Sequence, residues 1–206
     1  MEYALISFDL QGTLTNSAFS DEFWMEMLPE LYAKKYAVST EAAKRSLKNI
    51  FEKIGVYDPR YYSIEYWLKE LGVRENFHDL VLRMRHRQEF YRDTAELLKG
   101  LRALGHVLII SSSTTRQCIE VELGDHRVLF DRVFSSLDDC SMAGKPPEFY
   151  ARIAQEMRIH PREALHVGDS KEMDVENATS AGWHSFYFNK DTPRDALLAE
   201  LKRTLL

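Results

Sequence analysis

Short apolar runs alternate with longer amphipathic segments along most of the chain. The runs predict strands over residues 3–8, 106–110, 132–134, 164–167 and 184–188. Apolar positions at helical spacing predict helices over about 116–123, 147–158, 172–181 and 193–204. Strands that alternate with helices in this way indicate a parallel sheet with helices on both faces. We therefore expect a doubly wound, Rossmann-like α/β core, in which ligands bind beyond the carboxyl ends of the strands.

The interval 17–92 departs from this alternation because it contains helix signals and no convincing strand. Ser20 is a candidate N-cap for a first helix, and Ser39 opens a second helix that ends at Gly55. Two further stripes at helical spacing follow: Tyr61, Ile64, Leu68 and Leu71, then Phe77, Leu80, Val81 and Met84. The predicted organisation is an α/β core formed by residues 1–16 and 93–206, with an all-helical cap inserted over residues 17–92.

Charge and cysteine content limit the classes of partner. Hydrophobic residues make up 45% of the chain and charged residues 29%, which is typical of a folded globular protein. The net charge of −5 argues against a sequence-independent grip on nucleic acid or anionic membrane, because both need clustered positive charge. Cys118 and Cys140 lack metal-ligand spacing, and the chain has neither a signal-peptide pattern nor a long apolar run. We expect a cytoplasmic protein, and its oligomeric state is unknown from sequence.

A first polar motif follows the first predicted strand. It reads Phe8-Asp9-Leu10-Gln11-Gly12-Thr13-Leu14-Thr15. A carboxylate at this position is exposed at the edge of the sheet, and Gly12 lets the backbone turn sharply beside it. In isolation, Asp9 could equally serve only to cap a turn.

Two weaker signals follow the second and third strands. Ser111 and Ser112 come directly after an apolar strand, where a hydroxyl can donate to a phosphate oxygen. Ser112, Ser113 and Thr114 could instead cap the next helix. Lys145 stands just ahead of Pro147, which fits the first turn of a helix. A lysine at such a place is usually solvated, so each signal is weak alone.

The most specific local signal is Val167-Gly168-Asp169-Ser170-Lys171-Glu172-Met173-Asp174, again after an apolar strand. Asp169 and Asp174 are separated by a strand-to-helix turn, so that both carboxylates can face one hard cation. Mg²⁺ prefers one or two carboxylates together with water and substrate phosphate. The motif therefore predicts a magnesium site.

These four motifs, in this order and at these strand ends, resemble the haloacid dehalogenase superfamily over essentially the whole chain. By position, the resemblance implies that Asp9 is the nucleophile, that Ser111 binds phosphate and that Lys145 steadies both. It implies that Mg²⁺ is held by Asp9, Asp169 and the backbone carbonyl of residue 11. Asp174 would support the water shell of the metal or Lys145. The expected reaction is transfer of a phosphoryl group from a small phosphorylated metabolite to Asp9, followed by hydrolysis.

Gln11 departs from the family pattern. Superfamily phosphatases usually have an aspartate there that protonates the leaving group and then activates water, whereas glutamine does not titrate. General acid/base help is typically worth about 10² to 10⁴ in rate. The chain could be a phosphatase whose leaving group needs no proton or whose acid comes from the cap.

Two other functions remain open. One is a catalytically impaired binding or regulatory protein with the same fold. The other is a haloacid dehalogenase or a phosphonatase-type hydrolase of C–halogen or C–P bonds. The acidic pair Asp169 and Asp174 disfavours the dehalogenase, because halide displacement needs no Mg²⁺. A substitution introduced at residue 11 would also explain the glutamine.

Overall fold

A central parallel sheet organises the chain. The computed structural model describes residues 3–87, 89–189 and 191–205. The strands within these ranges are β1 (Leu5–Phe8), β2 (Val107–Ser112), β3 (Arg132–Ser135), β4 (Ala164–Gly168) and β5 (His184–Tyr187). They are all parallel and lie in the order β3-β2-β1-β4-β5. The predicted doubly wound α/β class is confirmed.

Helices cover both faces of the sheet. They are α1 (Ala18–Asp21), α2 (Leu28–Tyr36), α3 (Thr40–Ile54), α4 (Ile64–Glu70), α5 (Phe77–Arg83), α6 (Arg92–Ala103), α7 (Arg116–Leu123), α8 (Ser136–Cys140), α9 (Pro147–Met157), α10 (Asn177–Ser180) and α11 (Arg194–Leu205). Apolar side chains of α6, α7 and α11 pack on one face of the sheet, and those of α9 and α10 pack on the other. The sequence interpretation assigned no element to residues 92–103 and 136–140, which form α6 and α8.

The segment between β1 and α6 is helical in the structure. A π-helical segment, Glu22–Met27, joins α1 to α2, and short 3₁₀ turns precede α4 and follow α5. Trp67, Phe23 and Leu80 are fully buried in a hydrophobic cluster of this segment. That cluster also takes in Cys118 of α7, so the helical segment packs directly on the α/β part of the chain. The division into a core and a cap at residues 17–92 stays a prediction.

Side-chain caps begin five of these helices: α3, α4, α5, α7 and α8. The Ser39 hydroxyl accepts a hydrogen bond from the Ala42 N–H at 3.3 Å, and α3 ends at Gly55 as expected. The expected N-cap at Ser20 is wrong. The first helix begins at Ala18, because Asn16 Oδ1 accepts from the Ala18 N–H at 3.0 Å, and the Ser20 hydroxyl donates back to the Ser17 carbonyl.

Two chain crossings link the helical segment to the sheet, and they lie side by side. The Tyr91 N–H donates to the Leu14 carbonyl at 3.0 Å, and the Asn16 N–H donates to the Glu89 carbonyl at 3.4 Å. These backbone hydrogen bonds join the turn after β1 to residues 89–91. Among the described residues, no helix has the length and apolar content needed to cross a bilayer.

Candidate active site

Asp9 directly follows the central strand. Its backbone N–H donates to the Val167 carbonyl of β4 at 2.8 Å, which holds it between the neighbouring strands β2 and β4. The residue as a whole is 8% exposed. Burial raises the pKa of the Asp9 carboxyl to about 7, and the attraction of Lys145 only partly offsets this in the metal-free protein. A buried carboxylate at the switch point of a parallel sheet is thus the centre of the site.

One side of Asp9 is occupied by a charged group of residues, here called the lysine cluster: Lys145, Asp174 and His166. Lys145 Nζ donates to Asp9 Oδ1 at 2.5 Å and also pairs with Asp174. His166 Nε2 lies 3.0 Å from Asp174 Oδ1, and its Nδ1 lies 2.9 Å from Ser7 Oγ. Each member is at most 2% exposed, so the predicted solvent-facing alternative for Lys145 is wrong.

The electrostatics of the lysine cluster keep its lysine and its aspartate ionised. Burial opposes both charges, but their mutual attraction raises the pKa of Lys145 and holds the pKa of Asp174 well below its usual value. Burial lowers the pKa of His166. The neutral ring then donates from Nε2 to Asp174, and its Nδ1 accepts from the Ser7 hydroxyl.

The acidic motif after β4 reaches the same place. Carboxylate oxygens of Asp9, Asp169 and Asp174 all lie within 4.8 Å of one another. A side chain at Gly12, where φ is +81°, would overlap the Asp169 carboxylate, and one at Gly168 would overlap Asp174. Both glycines therefore permit this close approach. Three converging carboxylate oxygens form a donor set suited to a hard divalent cation such as Mg²⁺.

The two serines at the end of β2 are buried. The Ser111 hydroxyl lies 2.7 Å from the Ser7 hydroxyl, and its backbone carbonyl accepts from Lys145 Nζ at 3.4 Å. Ser112 Oγ accepts from the Thr114 N–H at 3.5 Å. The alternative that Ser112 or its neighbours cap the next helix is wrong, because Thr115 is the N-cap of α7. Ser111 thus lies in the site, in contact with the lysine that pairs with Asp9, and its hydroxyl is already engaged.

The turn after Asp9 carries part of a second polar group of residues, here called the amide cluster: Gln11, Thr15 and Glu122. Gln11 Nε2 donates to Glu122 Oε2 at 2.8 Å, and Thr15 Oγ1 donates to Glu122 Oε1 at 2.5 Å. Glu122 is fully buried. Burial raises the pKa of its carboxyl to about 7, and the two donors offset this only in part.

Sequence reasoning missed Glu122, Thr15, His166 and Ser7. Glu122 carried a usable signal, because it stands at i+3 and i+4 from Ile119 and Cys118, on the buried face of an amphipathic helix. His166 likewise interrupts a strand that is buried on both faces. A polar residue in an apolar stripe needs a buried partner, and that expectation identifies both positions.

A separate apolar cavity of about 780 Å³ lies within the helical segment, between the π-helical segment, α3 and the loop after it. Trp24, Leu47, Phe51, Tyr57 and Tyr61 are among the residues that line it. Its lining contains neither Asp9 nor any other residue of the four motifs. This cavity is therefore separate from the candidate active site around Asp9.

Known proteins resemble this chain in sequence and in structure. The GMP/IMP nucleotidase YrfG of Escherichia coli is 24% identical over 166 residues, which are 79% of this chain and 72% of that protein. The structure of a HAD phosphatase from Thermococcus onnurineus superimposes with a TM-score of 0.80 at 25% identity, and the match covers 94% of this chain and 89% of that one.

The fold of this chain is also similar to that of a putative phosphoglycolate phosphatase from Lactobacillus plantarum. That match has a TM-score of 0.67 at 19% identity and covers 98% of this chain and 99% of that chain. A family model for haloacid dehalogenase-like hydrolases matches residues 3–182, which include every motif residue of the site. The chain is therefore a hydrolase that belongs to the haloacid dehalogenase-like family.

Proposed function

We propose that the protein is a Mg²⁺-dependent phosphatase that acts on a small phosphorylated metabolite through an aspartyl-phosphate at Asp9. The observation that carries the proposal is the position of Asp9, which lies 2.5 Å from Lys145 Nζ and within 4.8 Å of the carboxylate oxygens of Asp169 and Asp174. A nucleophilic carboxylate, a fixed cation and a set of metal ligands therefore share one buried place.

The chemistry follows from the charges. An Asp9 oxygen attacks phosphorus and the bond from phosphorus to the leaving oxygen breaks, which produces an acyl-phosphate on Asp9. Water then attacks that phosphorus, and the bond from phosphorus to the Asp9 oxygen breaks. This releases inorganic phosphate, which carries the protons of the water or passes one to solvent, and regenerates the Asp9 carboxylate. The Asp9 carboxylate and the substrate phosphate are both anionic and repel each other, so the first step needs positive charge nearby. The Lys145 ammonium provides one charge, and its position on Asp9 also aligns the carboxylate.

The metal contribution is assigned to specific residues. We place Mg²⁺ on Asp9, Asp169 and the backbone carbonyl of Gln11, with Asp174 supporting Lys145 and the water shell of the metal. When bound, Mg²⁺ supplies charge that stabilises the oxygens of the transferring phosphoryl group. Ser111 and Ser112 would bind the phosphate at the end of β2, where the Ser111 hydroxyl exchanges its contact with Ser7 for one with phosphate.

Gln11 limits the choice of substrate. Since it cannot protonate a leaving alkoxide, the chain as it stands should turn over phosphates with good leaving groups most readily. Nucleoside monophosphates are the first natural candidates to assay, because YrfG, a GMP/IMP nucleotidase, is related by sequence. The net charge of −5 and the reduced thiols Cys118 and Cys140 support a cytoplasmic protein without a nucleic-acid or membrane partner.

The test measures phosphate release with Mg²⁺ from aryl, acyl and alkyl phosphates, including nucleoside monophosphates, by the protein and by Asp9→Asn. We expect a steep dependence on leaving-group pKa, with aryl and acyl phosphates fastest, and no release by Asp9→Asn. Ligand binding without any release would contradict the proposal and favour a binding protein. Release of chloride from haloacids, or cleavage of phosphonates, would instead favour a hydrolase of C–halogen or C–P bonds.

A further inference from the structure

Glu122 is a buried carboxylate that the expected chemistry does not use. It lies on α7, outside the four motifs, and none of its surface is exposed. An apolar side chain would fill this place on the helix at no electrostatic cost, whereas a carboxylate is expensive to bury unless donors satisfy it. Its presence therefore calls for an explanation from the groups that it touches.

The two groups that touch Glu122 are the ends of one short turn. The turn runs from Gln11 to Thr15, where an isolated backbone bridge closes it and the Gly12 N–H donates to the Thr15 carbonyl at 2.7 Å. Gln11 Nε2 donates to one oxygen of Glu122 and Thr15 Oγ1 donates to the other. One carboxylate thus holds both ends of the turn that follows the nucleophile.

When Glu122 is ionised, its partner must be a donor. A glutamine at position 11 offers an N–H, whereas an aspartate there would offer only a second carboxylate. Nε2 and Oε1 of Gln11 are bonded to the same planar carbon and point in different directions. The bond from Nε2 to Glu122 therefore also fixes the direction of the side-chain oxygen Oε1. The amide is thus oriented two residues after the nucleophile.

We propose that Glu122 is a positioning residue that holds the Gln11 amide beside Asp9, and that the two side chains form a matched pair in which either one constrains the other. The catalytic part of this inference rests on the proposed phosphatase function. The inference has a direct consequence for position 11. An aspartate placed there alone would face the Glu122 carboxylate, and two ionised carboxylates repel each other and share no hydrogen bond. Restoring an acid/base aspartate then also requires Glu122→Gln.

The structural test needs no turnover. In metal-free protein, the side-chain NH₂ signals of Gln11 are identified by their loss in Gln11→Ala, and their shifts and hydrogen exchange are compared in Glu122→Gln. We expect large changes there and none in Glu120→Gln, a matched control on the same helix whose carboxylate pairs with Arg127. Unchanged Gln11 signals in Glu122→Gln would overturn the pairing.

Thermal unfolding provides a second structural measure at pH 8. Gln11→Asp should lower Tm by roughly 3 to 10 °C, and Glu122→Gln should recover most of that loss in the double variant. Strictly additive changes in Tm would contradict a matched pair. This measure also applies to any variant that folds too poorly for kinetics.

The kinetic test is single-turnover phosphorylation of Asp9 by alkyl and aryl phosphates. Glu122→Gln alone should lower the rate about 10- to 100-fold with KM little changed, whereas Glu120→Gln should match the parent. For alkyl phosphates, Gln11→Asp with Glu122→Gln should be at least about tenfold faster than Gln11→Asp alone. Equal rates for these two variants would overturn the constraint on residue 11. If the parent and every variant fail to turn over while the spectra and Tm respond, the phosphatase function is wrong and the pairing stands.

Discussion

The lysine cluster contacts Asp9, the amide cluster lies on the turn that follows it, and each contains a fully buried carboxylate. Asp174 has a cation and a histidine N–H as partners, and its pKa is held well below its usual value. Glu122 has a hydroxyl and an amide N–H as partners, and the pKa of its carboxyl is raised to about 7. Both acids accept two side-chain donors, and Asp174 Oδ2 also accepts from the Ser170 N–H at 2.8 Å. The number of side-chain donors therefore does not separate them.

The difference lies in the charge of the partners. Neutral donors offset only part of the free-energy cost of removing an ionised carboxylate from water. A buried ammonium offsets much more of that cost. The lysine cluster is therefore a fixed set of charges that can balance an anionic substrate. The amide cluster is an oriented set of hydrogen bonds that fixes a side chain. Asp9 contacts the lysine cluster through Lys145, and the short turn to Gln11 connects it to the amide cluster.

The largest effect should come from Asp9, the proposed nucleophile. Asp9→Asn is expected to reduce phosphate release by at least about 10⁴-fold, because an amide is neither a nucleophile nor a good Mg²⁺ ligand. The fold should survive, since the substitution removes a buried charge that is costly in the metal-free protein. Phosphate release and thermal unfolding of the same preparation check both statements. Folded Asp9→Asn that retains the parent rate would exclude Asp9 as nucleophile.

Removal of the cation should break the lysine cluster. Lys145→Met leaves Asp9 and Asp174 buried without their shared partner, and we expect a loss of about 3–5 kcal/mol in the free energy of unfolding at pH 7. Urea denaturation in metal-free buffer measures it. Adding Asp174→Asn to this variant should recover part of the loss. A decrease below about 1 kcal/mol would mean that the ion pairs contribute little beyond their cost of burial.

The pH dependence of stability should distinguish the clusters. A carboxyl whose pKa rises from 4.5 in the unfolded chain to about 7 in the native state binds its proton more tightly when folded. Its contribution is present below pH 4.5 and is lost as the pH rises through 7. For Glu122 the change amounts to about 3 kcal/mol at most. Asp174 has the opposite sign, because its pKa is lowered and its contribution is lost on acidification.

Glu122→Gln isolates this contribution. In metal-free protein, the variant should lose part of the fall in unfolding free energy between pH 4.5 and 7, and Asp9 should account for the remainder. Denaturation series at several pH values provide the comparison, with Glu120→Gln as the matched control. An identical pH profile in the parent and in Glu122→Gln would show that Glu122 stays ionised in the native state.

The smallest effect concerns the metal. Asp169→Asn should weaken Mg²⁺ binding about 10- to 100-fold, because it removes a charged ligand from the acidic side of Asp9. Gln11→Ala should change binding only slightly, since the proposed contact from that position is the backbone carbonyl. Calorimetric titration of both variants measures the order. The reverse order would place the metal on the side of the amide cluster.

Local sequence patterns predicted the sheet and the positions of the motif residues. Each strand is a short apolar run, and the polar residues that matter follow the runs directly, as Asp9 follows Phe8 and Asp169 follows Gly168. Both features depend on neighbours in the chain. The first helix was placed less well, because its N-cap is Ser17 rather than Ser20 and the Ala18 N–H donates to Asn16 Oδ1.

The tertiary structure alone decided what each side chain meets. Lys145 would be expected in solvent from its place before a helix, yet it is buried against Asp9 across 136 residues of chain. Gln11 looked like the simple loss of an acid, and only its contact with Glu122, 111 residues away, shows why an amide suits that position. The sequence by itself determined the fold class and where the motifs stand, because strand and turn propensities are local. The burial and pairing of the charges depend on segments that only folding brings together, and these set the pKa values and the direction of each side chain.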